Sequence, residues 1–192
     1  MIGRMDAFEA IARRTSTRRF TPDRVPREEI ERLLAAAVRA PNHKLTEPWR
    51  FAILGGGAAR RFAELRRAYR AAKFPDPAAP EAARAVERAY REALETPAFV
   101  VVLSAVSDDP VRREEDFAAV MMATQNLLIA ATAAGLGSYV RTGGIMNDPA
   151  LRELVRAPAT HRIVAIVSLG RPADAAEPTR RGDPAARTLW LD

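Results

Sequence analysis

The chain predicts helices laid over a central sheet, on three observations. Stretches with apolar residues at helical spacing alternate with short apolar runs, the layering of a helix-covered sheet. Two of those runs, "AFVVVLSAV" (98–106) and "HRIVAIVSLGRP" (161–172), are rich in branched residues and suit strands. At 192 residues the chain is long enough to bury a substantial core as one domain, here taken as 1–192, without covalent staples.

The elements follow in order. Asp6 with Glu9 resembles a capping box, and Met5, Phe8 and Ala12 recur at helical spacing, so a first helix runs to about Arg14. Pro26 starts a second helix, with Glu28 and Glu29 in its first turn and Ile30, Leu33, Leu34, Ala37 and Val38 on one face; it stops before Pro41. "WRFAIL" (49–54) reads as a strand, and Gly55, Gly56 and Gly57 as a turn, since they lack the later glycine and acidic residue of a dinucleotide fingerprint. Residues 58–96 form a helical excursion broken by "FPDPAAP" (74–80), whose prolines cannot continue a helix; a mobile flap near a site entrance is expected there. Ala98–Val106 is a buried strand. The apolar segment 117–137 is a helix stopped by Gly135 and Gly137, "SYVRTGG" (138–144) a short strand and loop, and Asp148 with Pro149 the start of a short helix. The tail, 173–192, is polar until Leu189, Trp190 and Leu191.

Composition narrows the chemistry. Cysteine is absent, which removes thiol nucleophiles, thiolate metal sites and disulfides; no metal is expected. The start, "MIGRMDAFEAIARR", has no signal-peptide pattern, so a cytoplasmic protein is expected. Thr124, Gln125, Asn126 and Thr132 interrupt the apolar segment and Glu114, Glu115 and Asp116 precede it, favouring a buried helix over a membrane span. The formal charge is +6, but the arginines lie mostly among glutamates on helices, a solvated pattern, and no nucleic-acid partner is expected.

One loop concentrates donors. "RTSTRRF", Arg14 to Phe20, carries three arginines and three hydroxyls, a composition suited to an anion such as phosphate. Together with "APNHKLTEPWRF", "GLGSYVRTGG" and "RIVAIVSLGRP", in this order and spacing, it resembles the flavin-dependent nitroreductase family, particularly its compact subgroup, over about Met5 to Pro172. The resemblance implies an α+β, three-layer nitroreductase-like fold with a central mixed β-sheet flanked by helices. It further implies an FMN-binding homodimer with the flavin at the subunit interface.

By the same resemblance Arg14, Thr15 and Ser16 match the first flavin motif, which contacts phosphate, ribityl and ring edge, and Arg18 is a candidate for its second basic position. Arg39 and His43 match positions that reach the flavin held mainly by the other subunit. Val140, Arg141 and Thr142 match the segment beside the isoalloxazine ring, and Gly143 and Gly144 would allow close backbone approach. Arg141 has two readings: a contact to the flavin, or a structural salt bridge. Met121, Met122, Leu127 and Leu128 read as core and dimer interface. Where many members carry asparagine and glutamine before the Pro-Trp pair, this chain has Leu45 and Glu47.

The resemblance implies hydride transfer from NADH or NADPH through FMN to a small oxidised acceptor, a nitroaromatic, quinone or activated enone, by ping-pong turnover. No protein group is assigned as a catalytic residue, because the flavin carries the chemistry. A flavin-binding sensor or reservoir uses the same residues and stays open at this point.

Overall fold

The computed structural model describes residues 5–175, 177–178 and 180–191. Its helices are α1 (Ala7–Arg13), α2 (Arg27–Ala37), α3 (Gly56–Ala71), α4 (Pro80–Leu94), α5 (Pro110–Ala133) and α6 (Pro149–Leu154), and its strands β1 (Trp49–Gly55), β2 (Ala98–Ala105), β3 (Gly137–Arg141) and β4 (His161–Gly170). The helix starts follow local capping chemistry. Asp6 accepts from the Glu9 N–H at 2.8 Å, Asp109 from Val111 and Asp148 from Ala150, each satisfying an amide that the helix leaves unpaired. At its other end α5 stops on Gly135, whose φ of 73° turns the chain left-handed, and the Leu136 N–H closes back on the Ala131 carbonyl at 2.8 Å.

The sheet order is β1-β2-β4-β3, and every neighbouring pair is antiparallel. The expected mixed sheet is therefore corrected among the described residues: the parallel component is an isolated bridge between Ser16 and Ser138. The physical reason lies in the connections. The α3/α4 pair returns the chain to the end of the sheet it left, so β2 runs against β1. The single crossover α5 makes β3 run with β2, but β4 lies between them.

Strand periodicity divides the core. Val100 and Val102 face α2 and α5 in one apolar cluster; Phe99, Val101 and Leu103 face α3, α4 and α6 in the other. A register shift between Val102 and Leu103 leaves Val164 as an extra residue in β4. Phe62 of α3 meets Phe99 edge-on, ring centroids 4.8 Å apart.

One further expectation changes. Gly55–Gly57 do not form a separate turn: Gly55 caps α3 and Gly56, at φ 52°, swings the chain straight from strand into helix. The base of the 58–96 segment is packed into the sheet's second layer, since Phe62, Ala63 and Ala93 are fully buried. Helix α5 is long and apolar enough to cross a membrane, yet Val120, Ala123, Leu127 and Ala131 are buried against the sheet and α2. It is the core helix of the fold.

Candidate functional site

The segment 14–20 lies along the exposed edge of the sheet, where β3 would otherwise present unpaired backbone groups. The Thr17 N–H donates to the Ser138 carbonyl at 2.9 Å, Thr21 N–H to Arg171 and Ala173 N–H to Arg19. Gly137 makes this approach possible: a Cβ there would stand 2.6 Å from the Thr17 side chain. Arg14 closes α1, its N–H donating to the Ala10 carbonyl at 3.0 Å. Arg14 and Thr15 are half-buried and Ser16 is exposed.

The electrostatics of that strip are unbalanced. Among the described residues the Arg14 guanidinium has no carboxylate within salt-bridge distance, and the hydroxyl of Ser138 is buried without a hydrogen-bond partner. A buried hydroxyl without a partner is costly. Arg18 is held otherwise: its guanidinium lies 5.1 Å from the centre of the Tyr139 ring and reaches that hydroxyl at 3.5 Å. Arg19 is a surface group paired with Asp174 at 3.2 Å. A cleft of about 490 Å³ borders the strip, with Thr15, Thr17 and Gly137 on its walls together with Arg13 and the acidic Asp174 and Glu177.

Farther along β3 the segment 139–145 meets α3 and α4. Arg141 donates to the Glu92 carboxylate at 3.2 Å and to the Ser168 hydroxyl at 3.4 Å, and it stacks 4.7 Å from the Tyr139 ring centre. Of its two readings the structure displays the salt bridge. Arg66 shares the same Glu92 oxygen at 3.7 Å. Burial first, and then the neighbouring Arg141 charge, lower the Arg66 pKa to about 10, so it stays cationic at neutral pH. Val140 packs on the α5 side of the sheet, leaving its backbone to border the cleft, and Thr142 is exposed. Gly143 adopts φ 135°, and a Cβ on Gly144 would collide with the Tyr69 hydroxyl. A second cleft, about 370 Å³, runs between α3 and residues 139–145.

Arg39 and His43 lie elsewhere. His43 Nδ1 is 2.7 Å from a Glu115 carboxylate oxygen, and the Thr46 hydroxyl donates to buried Asp116 at 2.8 Å, which pins the loop 42–48 to the start of α5. Ser138 follows the end of that helix, about 27 Å away at 1.5 Å per residue. One chain therefore does not bring His43 to Arg14, and Arg39 follows the end of α2, where the Ala36 carbonyl accepts from Asn126 of α5 at 3.4 Å. The loop itself is strained: Lys44, Leu45 and Glu47 all have φ between 44° and 53°.

Sequence reasoning missed Glu92, Arg66, Tyr69 and the Thr17–Gly137 contact. Glu92 and Arg66 sit in alanine- and arginine-rich helices where one charge looks like the next; only Gly137, inside a strand, carried a signal of close approach. No cluster suited to a metal ion occurs among the described residues.

Fold and site together define an α+β domain whose sheet edge carries a strip of arginines and hydroxyls. Comparison places it: the chain belongs to the nitroreductase family, whose sequence pattern matches residues 11–171, and that family is an oxidoreductase group. It is 31% identical over 170 residues to YdjA of Escherichia coli (strain K12), named as a candidate NAD(P)H nitroreductase, covering 88% of this chain and 89% of that one. Among solved structures it resembles the nitroreductase-like family protein from Bacillus cereus, with 28% identity, TM-score 0.81 and coverage of 97% and 96%. The FMN-dependent nitroreductase NfnB from Mycobacterium smegmatis, solved in complex with NADPH, shares the fold at TM-score 0.79 and 18% identity, covering 97% and 98%.

Proposed function

We propose that the protein is an FMN-dependent oxidoreductase that draws on NADH or NADPH and reduces small oxidised acceptors such as nitroaromatics, quinones or activated enones. The observation that carries this reading is the strip beside β3: an Arg14 guanidinium without a described carboxylate partner, two residues before Ser16, whose backbone bridges to Ser138 with its buried, unpartnered hydroxyl. Those groups fit FMN, which has a phosphate dianion at one end and a polar ring edge at the other. Arg14 would hold the phosphate. Thr15, Ser16 and Ser138 would take hydroxyl and ring-edge contacts, and the backbone of 140–142 would border the ring. When bound, FMN supplies two-electron chemistry, accepting hydride from the nicotinamide and passing reducing equivalents to the acceptor in turn, as a ping-pong scheme requires.

The chain's own residues position and screen. Arg141 keeps a positive charge near the ring segment, but Glu92 offsets part of it, so Arg141 acts by holding β3 to α4 as well as by its field. No side chain is assigned to proton transfer; water reaches this open cleft. Arg18 stays against Tyr139 and stiffens the strip.

The working form is a homodimer in this reading. Met122 is exposed on α5, as are Phe8 and Ile11 on α1, so apolar groups stand on the outer side of the core helix and its neighbour in one chain. A two-fold pairing across α5 would carry Arg39 and His43 of one subunit toward the Arg14 strip of the other.

The test is the visible spectrum of the purified protein with mass identification of any released chromophore, followed by anaerobic addition of NADH and NADPH. Bound FMN that bleaches supports the reductase. FMN that stays oxidised points to a sensor or reservoir, and a protein that neither carries nor takes up FMN removes the reading. Parallel double-reciprocal plots check the ping-pong order.

A further inference from the structure

The cleft between α3 and residues 139–145 holds more positive charge than the fold uses. Arg66, Arg70, Lys73 and Arg141 line it, and Glu92, shared by Arg66 and Arg141, is the carboxylate that faces them. Two of these cations, Arg66 and Arg70, lie one turn apart on α3, and Lys73 follows just past its end. Like charges at that spacing destabilise a helix. Elsewhere the chain does the opposite: Arg13 pairs with Glu9, Arg27 with Glu31 and Arg91 with Glu87, each one turn apart.

The cleft cations are also held in place. Arg70 lies 5.1 Å from the Phe74 ring centre and the Lys73 ammonium 4.6 Å from that of Tyr69. One Arg66 nitrogen, Nη1, is buried with no hydrogen-bond partner. Converging guanidinium and ammonium groups with spare donors describe a site for a phosphate dianion. The cleft is continuous with residues 140–142, the segment assigned to the flavin ring, and at about 370 Å³ it is of a size that takes a nucleoside phosphate.

Resting on the oxidoreductase reading above, we propose that this cleft binds the adenosine 2′-phosphate of NADPH and makes NADPH the preferred donor over NADH. Arg70 and Lys73 grip the phosphate from the open side, Arg66 and Arg141 back it from the sheet side, and Tyr69 and Tyr139 edge the space beside it. An arginine-lined pocket is a general solution for the 2′-phosphate, which is the chemical difference between the two nucleotides.

The experiment has two arms. In the holoenzyme the expected result is a higher kcat/KM for NADPH than for NADH, with the ratio of the two falling about ten- to a hundredfold in the Arg70→Ala, Lys73→Ala double variant, as for loss of charge-assisted bonds. Arg70→Lys, which keeps the charge, should retain most of the ratio. In the binding arm, calorimetric titration with 2′,5′-ADP should give a complex that the double variant weakens by the same factor, and 5′-AMP should bind much more weakly. An unchanged ratio overturns the proposal, as do equal affinities for 2′,5′-ADP and 5′-AMP. Loss of FMN from the double variant also overturns it, by assigning the cleft to the flavin phosphate. If the protein neither holds FMN nor is reduced by either nucleotide, the oxidoreductase reading fails separately, and the 2′,5′-ADP titration still decides whether the cleft reads a 2′-phosphate.

Discussion

The two ends of α5 carry the two halves of the expected flavin site and are built in opposite ways. At its C-terminal end the strip 14–20 is stitched to β3 and to residues 171–173 by backbone hydrogen bonds, and Gly137 lets Thr17 sit against the strand. At its N-terminal end the loop 42–48 has left-handed Lys44, Leu45 and Glu47, and side chains hold it down: His43 to Glu115, Thr46 to Asp116, Asn42 to the Glu47 N–H. One half is fixed by main chain; the other, apart from the Ala105 N–H that donates to the Pro48 carbonyl at its end, is held by a few removable side-chain contacts. The difference teaches that the strip is preorganised within one chain, whereas under the proposed function the His43 loop would meet the flavin only if another copy's strip came to it. A two-fold axis across the middle of α5 would superpose the start of one helix on the end of the other.

The largest effect should come from the strip. Arg14→Ala removes a charge-assisted contact worth about 1.5 to 3 kcal/mol, so FMN affinity should fall about ten- to a hundredfold, read by flavin fluorescence on ultrafiltration. Unchanged affinity in the folded variant would remove Arg14 from the site. Gly137→Ala should cost about 1 to 3 kcal/mol of stability in urea unfolding, because its Cβ meets Thr17 at 2.6 Å and the strip must shift. Flavin retention should drop with it, which would tie the strip's backing to its ligand.

Changes in the opposite loop should be smaller and should leave the strip's stability alone. Thr46→Val strips a hydrogen bond from buried Asp116, costing about 1 kcal/mol, and should raise amide exchange over 42–48 specifically. Leu45→Asn should stabilise the fold by a few tenths to about 1 kcal/mol, since asparagine tolerates φ near 53° better than leucine does. A destabilising Leu45→Asn would mean that the leucine, largely exposed in one chain, has a packing partner in the assembly.

Much of this was legible because it is local. Asp6, Asp109 and Asp148 cap the helices they precede, Pro26 and Pro41 bracket α2, and the apolar run 98–106 is β2 almost to the residue. The donor-rich strip stood out for the same reason, its arginines and hydroxyls being neighbours in the chain. The glycine triplet misled, because a strand-to-helix junction and a free turn place the same demand on φ at Gly56. Gly137 looked like a helix stop, although Gly135 already supplies the left-handed residue and Gly137 serves Thr17, 120 positions earlier.

By itself the sequence determined the helices, the strands, their order and the chemical character of each loop, since capping, periodicity and backbone preference act over a few residues. Tertiary structure decided that the sheet is antiparallel, that Arg141 and Arg66 converge on Glu92, that α3 turns Arg66 and Arg70 toward β3, and that His43 and Arg14 lie at opposite ends of one helix. Those outcomes depend on which surfaces bury each other across long stretches of chain. No short-range rule carries a charge on α4 to its partner on β3, because the packing of the apolar faces beneath them sets that distance.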